Sequence, residues 1–460
     1  MITMAMPSSD ELAAARRTFL HVLVNVLFGS VMNFTVWFAV TFWVFLETRS
    51  VLATGMIAGI FLVAMASTGI WFGSLVDNYR KKTVMQVSAL ASVVFYAVAF
   101  AVYLATPEQR FTDPASVLLW VFIVLCMAGV IAGNVRSIAL PTLVTLLIAE
   151  DRRDKANGLV GTTAGVSFLV TSVISGLLVG AGGMFWVLLL AMVVLAGVAV
   201  HLAFVSIPDQ PVDPRVEVTA ASDQAPETPR TGVDLRGTLR LIRGVPGLLA
   251  LIGFSCLNNL LGGVIMALMD AYGLSLMSVQ AWGLLWGALS AGFIIGGLGV
   301  AKFGLGSNPL RLLLLVNLVL WAVSCLFPLR ASIGLLAAGM AVYMLLIPFA
   351  EAAEQTILQR VVPYERQGRV FGFAQSVEQA ASPLTAFLIG PLTQLVFIPY
   401  MSTGGGVDLI GGWFGTGADR GIALVFVLTG IAGLVLTAYA LGSRFYRRLS
   451  ARYASAAAPA

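Results

Sequence analysis

The sequence predicts an all-α integral membrane protein with twelve transmembrane helices in two six-helix bundles. Three observations lead there. Of the 460 residues, 59% are hydrophobic and only 11% charged, against about 25% charged in a soluble globular chain, and the mean hydropathy is +0.93. Twelve apolar runs reach the roughly 20 residues that a helix needs to cross the hydrocarbon layer. One polar stretch, PDQPVDPRVEVTAASDQAPETPRTGVD within 207–240, divides those runs six and six.

The elements follow in order. The first run, 19–46, is too long for the apolar core of a signal peptide. Runs at 51–75 and 83–105 flank a tight polar connection, GSLVDNYRKK at 73–82. Runs at 116–148, 157–180 and 183–206 complete a first bundle over 1–206. The segment 207–240 is rich in Pro, acids, Ser and Thr, and reads as a flexible linker. A second bundle, 241–446, holds runs at 247–272, 279–301, 309–329, 332–360, 368–398 and 421–443, followed by a tail at 447–460. The Gly-rich stretch 400–419, with Trp413 and Phe414, is expected as a loop at the outer interface, serving either as an aromatic anchor or as a lid.

Charge and composition exclude several functions. The net charge of +5 is spread over short loops, so no nucleic-acid partner is expected. Cys126, Cys256 and Cys325 lie inside apolar runs, and His21 and His201 are far apart in sequence. No disulfide framework, metal site or cofactor follows from them. No nucleophile elbow, histidine–acid cluster or phosphate-binding loop is present, which argues against an enzyme and against ATP-driven pumping. With the N-terminus placed inside, 22 of the 27 cations fall on the inner side and four on the outer, with Arg136 inside a span. The positive-inside rule then puts both termini in the cytoplasm and the chain in the cell membrane.

Six and six also suggests duplication. DRRDKANG at 151–158 follows the fourth run, and ERQGRVFG at 365–372 follows the tenth. GLGVAKFG at 297–304 is a faint echo, without the acid, of the connection at 73–82. That connection resembles the signature between the second and third helices of the major facilitator superfamily, with Gly73, Leu75, Asp77, Arg80 and Lys81 in the matching places. The stretch ALPTLVTLLIAEDRRDKANGLVG at 139–161 resembles the macrolide and multidrug efflux branch, whose members are drug:proton antiporters. The resemblance implies two pseudo-symmetric bundles working by alternating access around a midplane cavity, with the first, fourth, seventh and tenth helices lining it.

Elementary physics gives the tight connection a role. Gly73 permits close approach in the hairpin. Asp77 can pair with Arg80 or face a helix N-terminus, where the dipole favours an anion. In the family that helix is the eleventh, beginning here near Gly368, so the resemblance implies that Gly73, Asp77, Arg80 and Lys81 form a conformational latch.

Ionisable groups inside spans are costly, which makes them functional candidates. They are Arg136 in the fourth run, Asp270 in the seventh, Glu351 and Glu354 in the tenth and Glu378 in the eleventh. At about 1.5 Å per residue, Glu354 and Glu378 lie some 12–15 Å from the inner surface, near the midplane. Glu354, Glu378 and Glu351 are candidates for proton coupling or substrate contact, with Arg136 as balancing charge; a static ion pair fixing helix packing is the alternative. Asp270 lies toward the outer end and suits an outer gate or a solvated helix end. Asn33, Asn258, Asn259 and Trp37 are cavity candidates, with helix–helix hydrogen bonding or packing as the rival roles.

The expected function is secondary active transport: proton-coupled efflux of amphipathic, drug-like compounds. The alternative is carriage of one physiological solute, such as a siderophore, lipid or peptide, by uptake or uniport. Expected partners are a small amphipathic substrate, protons and membrane lipid, and the chain is expected to be a monomer.

Overall fold

The computed structural model describes residues 9–48, 51–208 and 234–455; most of the expected linker, 209–233, lies outside them. Among the described residues the chain is helical and has no strand. A bilayer demands this, because only a helix satisfies every backbone N–H and C=O within its own segment.

The helices are α1 Ser9–Thr48, α2 Val51–Asn78, α3 Lys81–Ala105, α4 Val117–Gly133, α5 Val135–Leu147, α6 Arg153–Gly182, α7 Met184–Phe204, α8 Leu235–Gly244 and α9 Leu248–Leu276. They continue with α10 Val279–Phe303, α11 Pro309–Leu326, α12 Ile333–Val361, α13 Gln367–Leu392, α14 Ile398–Ser402, α15 Gly405–Phe414, α16 Ala418–Gly442 and α17 Arg444–Ser455. Among the described residues eleven stretches are long and apolar enough to span a membrane, and the shorter apolar stretch Phe387–Ser402 accompanies them. The chain is a multi-pass membrane protein.

Helix boundaries follow local chemistry. The Ser278 hydroxyl caps α10 by accepting from Ala281 N at 3.3 Å, and Asn308 caps α11 by accepting from Arg311 N at 2.9 Å ahead of Pro309 in the first turn. Gly304, at φ 72°, ends α10 in a conformation that suits only glycine.

Four elements differ from the sequence expectation. The fourth run is interrupted at Asn134, whose N–H bonds Ile131 O at 3.0 Å and so tightens the chain by one residue between α4 and α5. The eleventh run passes through a π-helical turn at Thr393–Phe397 before α14. The Gly-rich 400–419 stretch is no simple loop: it folds into α15, which buries Phe414 and leaves Trp413 64% exposed. Helix α8 also lies partly inside the expected linker. It begins on Asp234, which accepts from Gly237 N at 2.8 Å, and it turns Ile242 inward and Arg236, Arg240 and Arg243 outward.

The chain forms two compact units. The first comprises 1–156, 163–239 and 358–376; the second comprises 157–162, 240–357 and 377–460. In the first unit α1 packs on α4 and α7, and α3 packs on α4 and α7. Its core gathers Val36, Val40, Trp43, Tyr96, Phe122 and Leu188. Ser88 and Ser92 pin α3 to α4 by donating to Ala132 O at 2.7 Å and Gly129 O at 2.8 Å. In the second unit α16 packs on α9 and α11 around Tyr272, Trp282, Trp321, Phe327 and Phe426.

Candidate functional site

Asp77 is the best-defined charged site of the first unit. It ends α2, and its side chain is 2% exposed. One carboxylate oxygen accepts from Gly368 N at 2.7 Å and the other from Arg369 N at 2.9 Å, so the group caps the N-terminus of α13. Two free N–H groups and the positive end of the helix dipole are what an otherwise buried anion needs. The Arg369 guanidinium reaches Asp77 at 3.7 Å and Asn78 Oδ1 at 3.0 Å. Gly73 has a different task from the one expected. A Cβ there would lie 2.9 Å from the Gly368 carbonyl carbon, so its smallness serves the α2–α13 crossing and not the α2–α3 hairpin. Lys81 sits over the Tyr364 ring, 4.8 Å from its centroid, and Arg80 starts α3, its carbonyl accepting from Val84 N at 3.0 Å.

The second unit brings the acids of α12 and α13 together. Ser255 Oγ on α9 donates to Glu354 Oε1 at 2.7 Å, and the Glu378 carboxyl lies close enough to that of Glu354 for the two to interact. Two neighbouring carboxylates repel each other when both are ionised, so such a pair favours holding a proton. Glu351, one turn before Glu354 on α12, is exposed. The chemistry available is the gain and loss of a proton at a pair held by three helices.

Arg136 lies at the start of α5 in the first unit and is 1% exposed. Its guanidinium packs on Gly29 of α1, where a Cβ would lie 2.8 Å from Nη1. None of its three nitrogens has a hydrogen-bond partner among the described residues. Arg136 itself does not line a cavity, but Asn134 and Ser137 on its own helix stretch and Ser30, next to Gly29, line one of about 60 Å³ together with Asn33, Phe34 and Phe61, among others.

The remaining candidates have defined neighbours. Asn33 accepts from Tyr96 Oη at 2.9 Å and fits into the space Gly133 leaves. Trp37 packs on Phe61 at 5.1 Å between centroids, with its buried Nε1 unpaired. Asn258 accepts from Trp321 Nε1 at 2.9 Å, a helix–helix bond, while Asn259 is exposed. Asp270 accepts from Trp282 Nε1 at 2.9 Å and so fastens the α9–α10 hairpin.

Sequence reasoning missed two arrangements. Arg420, counted among outer loop cations, is 3% exposed. It donates to Pro328 O at 3.0 Å and to Tyr272 Oη at 2.9 Å, and it pairs with Asp419. His21 and His201, remote in sequence, bring their rings within 5.6 Å where α1 meets α7, and Asn25 Nδ2 lies 3.1 Å from His201 Nδ1. Neither arrangement leaves a local signal, because the partners come from other helices.

The profile of the Major Facilitator Superfamily matches residues 22–386. No curated protein sequence matches the chain. Among solved structures, a bacterial homologue of the iron transporter ferroportin, in an outward-facing state, is 14% identical with a TM-score of 0.63, covering 92% of this chain and 98% of its own. The human organic anion transporter is 13% identical with a TM-score of 0.60, covering 92% and 99%. A proton:xylose symporter bound to 6-bromo-6-deoxy-D-glucose is 13% identical with a TM-score of 0.60, covering 92% and 95%. At such identities the likeness is one of fold.

Proposed function

The chain belongs to the Major Facilitator Superfamily, and from that premise we propose that it expels amphipathic, drug-like compounds in exchange for protons, by alternating access. Membership makes it a secondary transporter of small molecules and not an enzyme. The observation that carries the proton-coupled reading is the Glu354–Glu378 pair with its Ser255 donor. A pair that holds one proton and separates when that proton leaves couples protonation to the spacing of α12 and α13. Glu351 extends the acidic surface one turn along α12.

The other assignments belong to the same proposal. Two six-helix bundles, 1–206 and 241–446, are joined by a linker at 207–240 and followed by a tail at 447–460. The protein sits in the cell membrane as a monomer with both termini in the cytoplasm, among lipid and with no nucleic-acid partner. Asp77, with Gly73, Arg80 and Lys81, forms a latch that favours one conformer, because its carboxylate is satisfied only while the α13 N-terminus is in place.

The test is substrate-dependent proton movement in proteoliposomes with a panel of amphipathic compounds. Wild type is expected to move protons with substrate, and Glu378→Gln to lose proton movement at least tenfold while remaining folded. Substrate movement that ignores the pH gradient in both proteins would defeat the coupling.

A further inference from the structure

Arg136 and its surroundings are an unusual set of buried donors. A cation 1% exposed, with no partner for Nε, Nη1 or Nη2, is the arrangement a membrane protein avoids unless the partner comes from outside. The neighbouring cavity repeats the signal. Asn134 lines it, and Asn134 Nδ2 is also buried with no partner. The chain tightens into i→i−3 bonds at Asn134, and the cavity lies against this junction of α4 and α5. Two buried, unpartnered donors of one sign therefore lie two residues apart: a guanidinium and an amide N–H. The apolar part of the wall is aromatic, with Phe34 and Phe61 lining the cavity and Trp37 stacked behind Phe61. Glu354, by contrast, is already engaged with Ser255 and Glu378.

We propose that Arg136, with Asn134, binds the anionic head group of the transported molecule, a carboxylate or sulfonate on an apolar body. The inference rests on the transport reading and names the charge of the substrate. Arg136 bonds the head group's oxygens, and the aromatic wall of Phe34 and Phe61 takes the body. Asn33 is held by Tyr96 and stays a wall residue.

The probes are toluene-4-sulfonate and its cationic counterpart of similar size, benzyltrimethylammonium. They are titrated into the purified full-length protein in uncharged detergent while the melting temperature and affinity are read. The sulfonate is expected to stabilise wild type and the cation not to. Arg136→Gln is expected to weaken sulfonate binding at least tenfold, and Arg136→Lys to retain part of it. Without ligand, Arg136→Met should melt no lower than wild type, since it removes a buried charge without a partner. A sulfonate shift that survives Arg136→Gln, a larger shift with the cation, no shift with the sulfonate, or an Arg136→Met protein that melts several degrees low each overturns the assignment. Sulfonate binding through Arg136 without passage of any compound across reconstituted vesicles keeps the site and removes the transport reading. Proton-driven movement of the cation that is untouched by Arg136→Gln does the reverse.

Discussion

Two helix crossings, one in each compact unit, share their backbone geometry and differ in charge. Where α2 crosses α13, a Cβ on Gly69 would lie 2.9 Å from Gly372 O and 2.5 Å from Ser376 Oγ. Where α10 crosses α6, a Cβ on Gly297 would lie 2.9 Å from Gly158 O and 2.5 Å from Thr162 Oγ1. Gly69 and Gly297 thus correspond, as do Gly372 and Gly158, and Ser376 and Thr162. The sequence echo had set Gly297 against Gly73, four residues out of register. In the structural register the residue in Asp77's place is Leu305, a buried leucine. Close backbone packing has been kept in both crossings and the anionic cap in one. Packing and electrostatic capping are therefore separable contributions, and substitutions can address them singly.

The largest expected effect falls on what the two crossings share. Gly372→Val and Gly158→Val each put a side chain where a neighbouring backbone stands, with Gly73 Cα 3.0 Å from a Cβ at 372 and the Val300 carbonyl carbon 2.8 Å from one at 158. Overpacking of this kind costs about 1–3 kcal/mol, and more where backbone is the obstacle. Both variants should melt well below wild type and by similar amounts. Gly176→Ala, whose Cβ meets nothing within 4 Å, should not. A large loss at one crossing only would show that the match in geometry does not carry a match in energy.

The crossings also mark what the sequence could and could not reveal. Span number was legible because the bilayer imposes long apolar helical runs and leaves little else available. Asp77 stood out as an acid among apolar residues, and the superfamily resemblance pointed to α13. Gly73 was noticed for the wrong helix, since a sequence shows a hairpin neighbour but not a crossing partner almost 300 positions away. The tightening at Asn134 follows Gly133 inside a run long enough to read as one helix, and nothing in the composition distinguishes such a turn from a continuous helix. Arg136 was visible as an intramembrane charge, but its lack of a partner is a fact of three dimensions. Arg420 looked like a solvated loop cation because it follows Asp419 and a run of glycines, whereas Tyr272 and Pro328, which enclose it, come from two other segments.

The next effect separates the crossings. Asp77→Asn keeps one oxygen to accept an N–H of α13 but removes the charge and places an amide donor against another donor. Hydrogen bonds to a charged group contribute about 1.5–3 kcal/mol, so a shift of roughly 2 kcal/mol in the equilibrium that keeps the α13 N-terminus docked is expected. The readout is the melting temperature together with the transport rate of the purified, reconstituted protein. Ala301→Gly at the other crossing, which makes it resemble the Gly73 position, should change neither by more than a few tenths of a kcal/mol beyond the usual glycine cost in a helix, about 1 kcal/mol. An Asp77→Asn protein indistinguishable from wild type would mean that the glycine packing alone holds the α2–α13 crossing.

The smallest effect belongs to Arg369, and its size decides how Asp77 is held. The Arg369 guanidinium lies 3.7 Å from the carboxylate and is 18% exposed, whereas the Arg369 N–H donates at 2.9 Å from the helix backbone. Arg369→Gln removes the first contact and keeps the second. A guanidinium 3.7 Å away is a weaker partner than two backbone N–H groups at 2.7 and 2.9 Å, so this variant should lose less than half of what Asp77→Asn loses, and added salt should change that loss little because the pair is largely buried. An Arg369→Gln loss equal to that of Asp77→Asn would transfer the contact from the helix terminus to the side-chain ion pair. The contrast with the α6–α10 crossing would then be one of paired side-chain charges, and the carboxylate cap would no longer explain it.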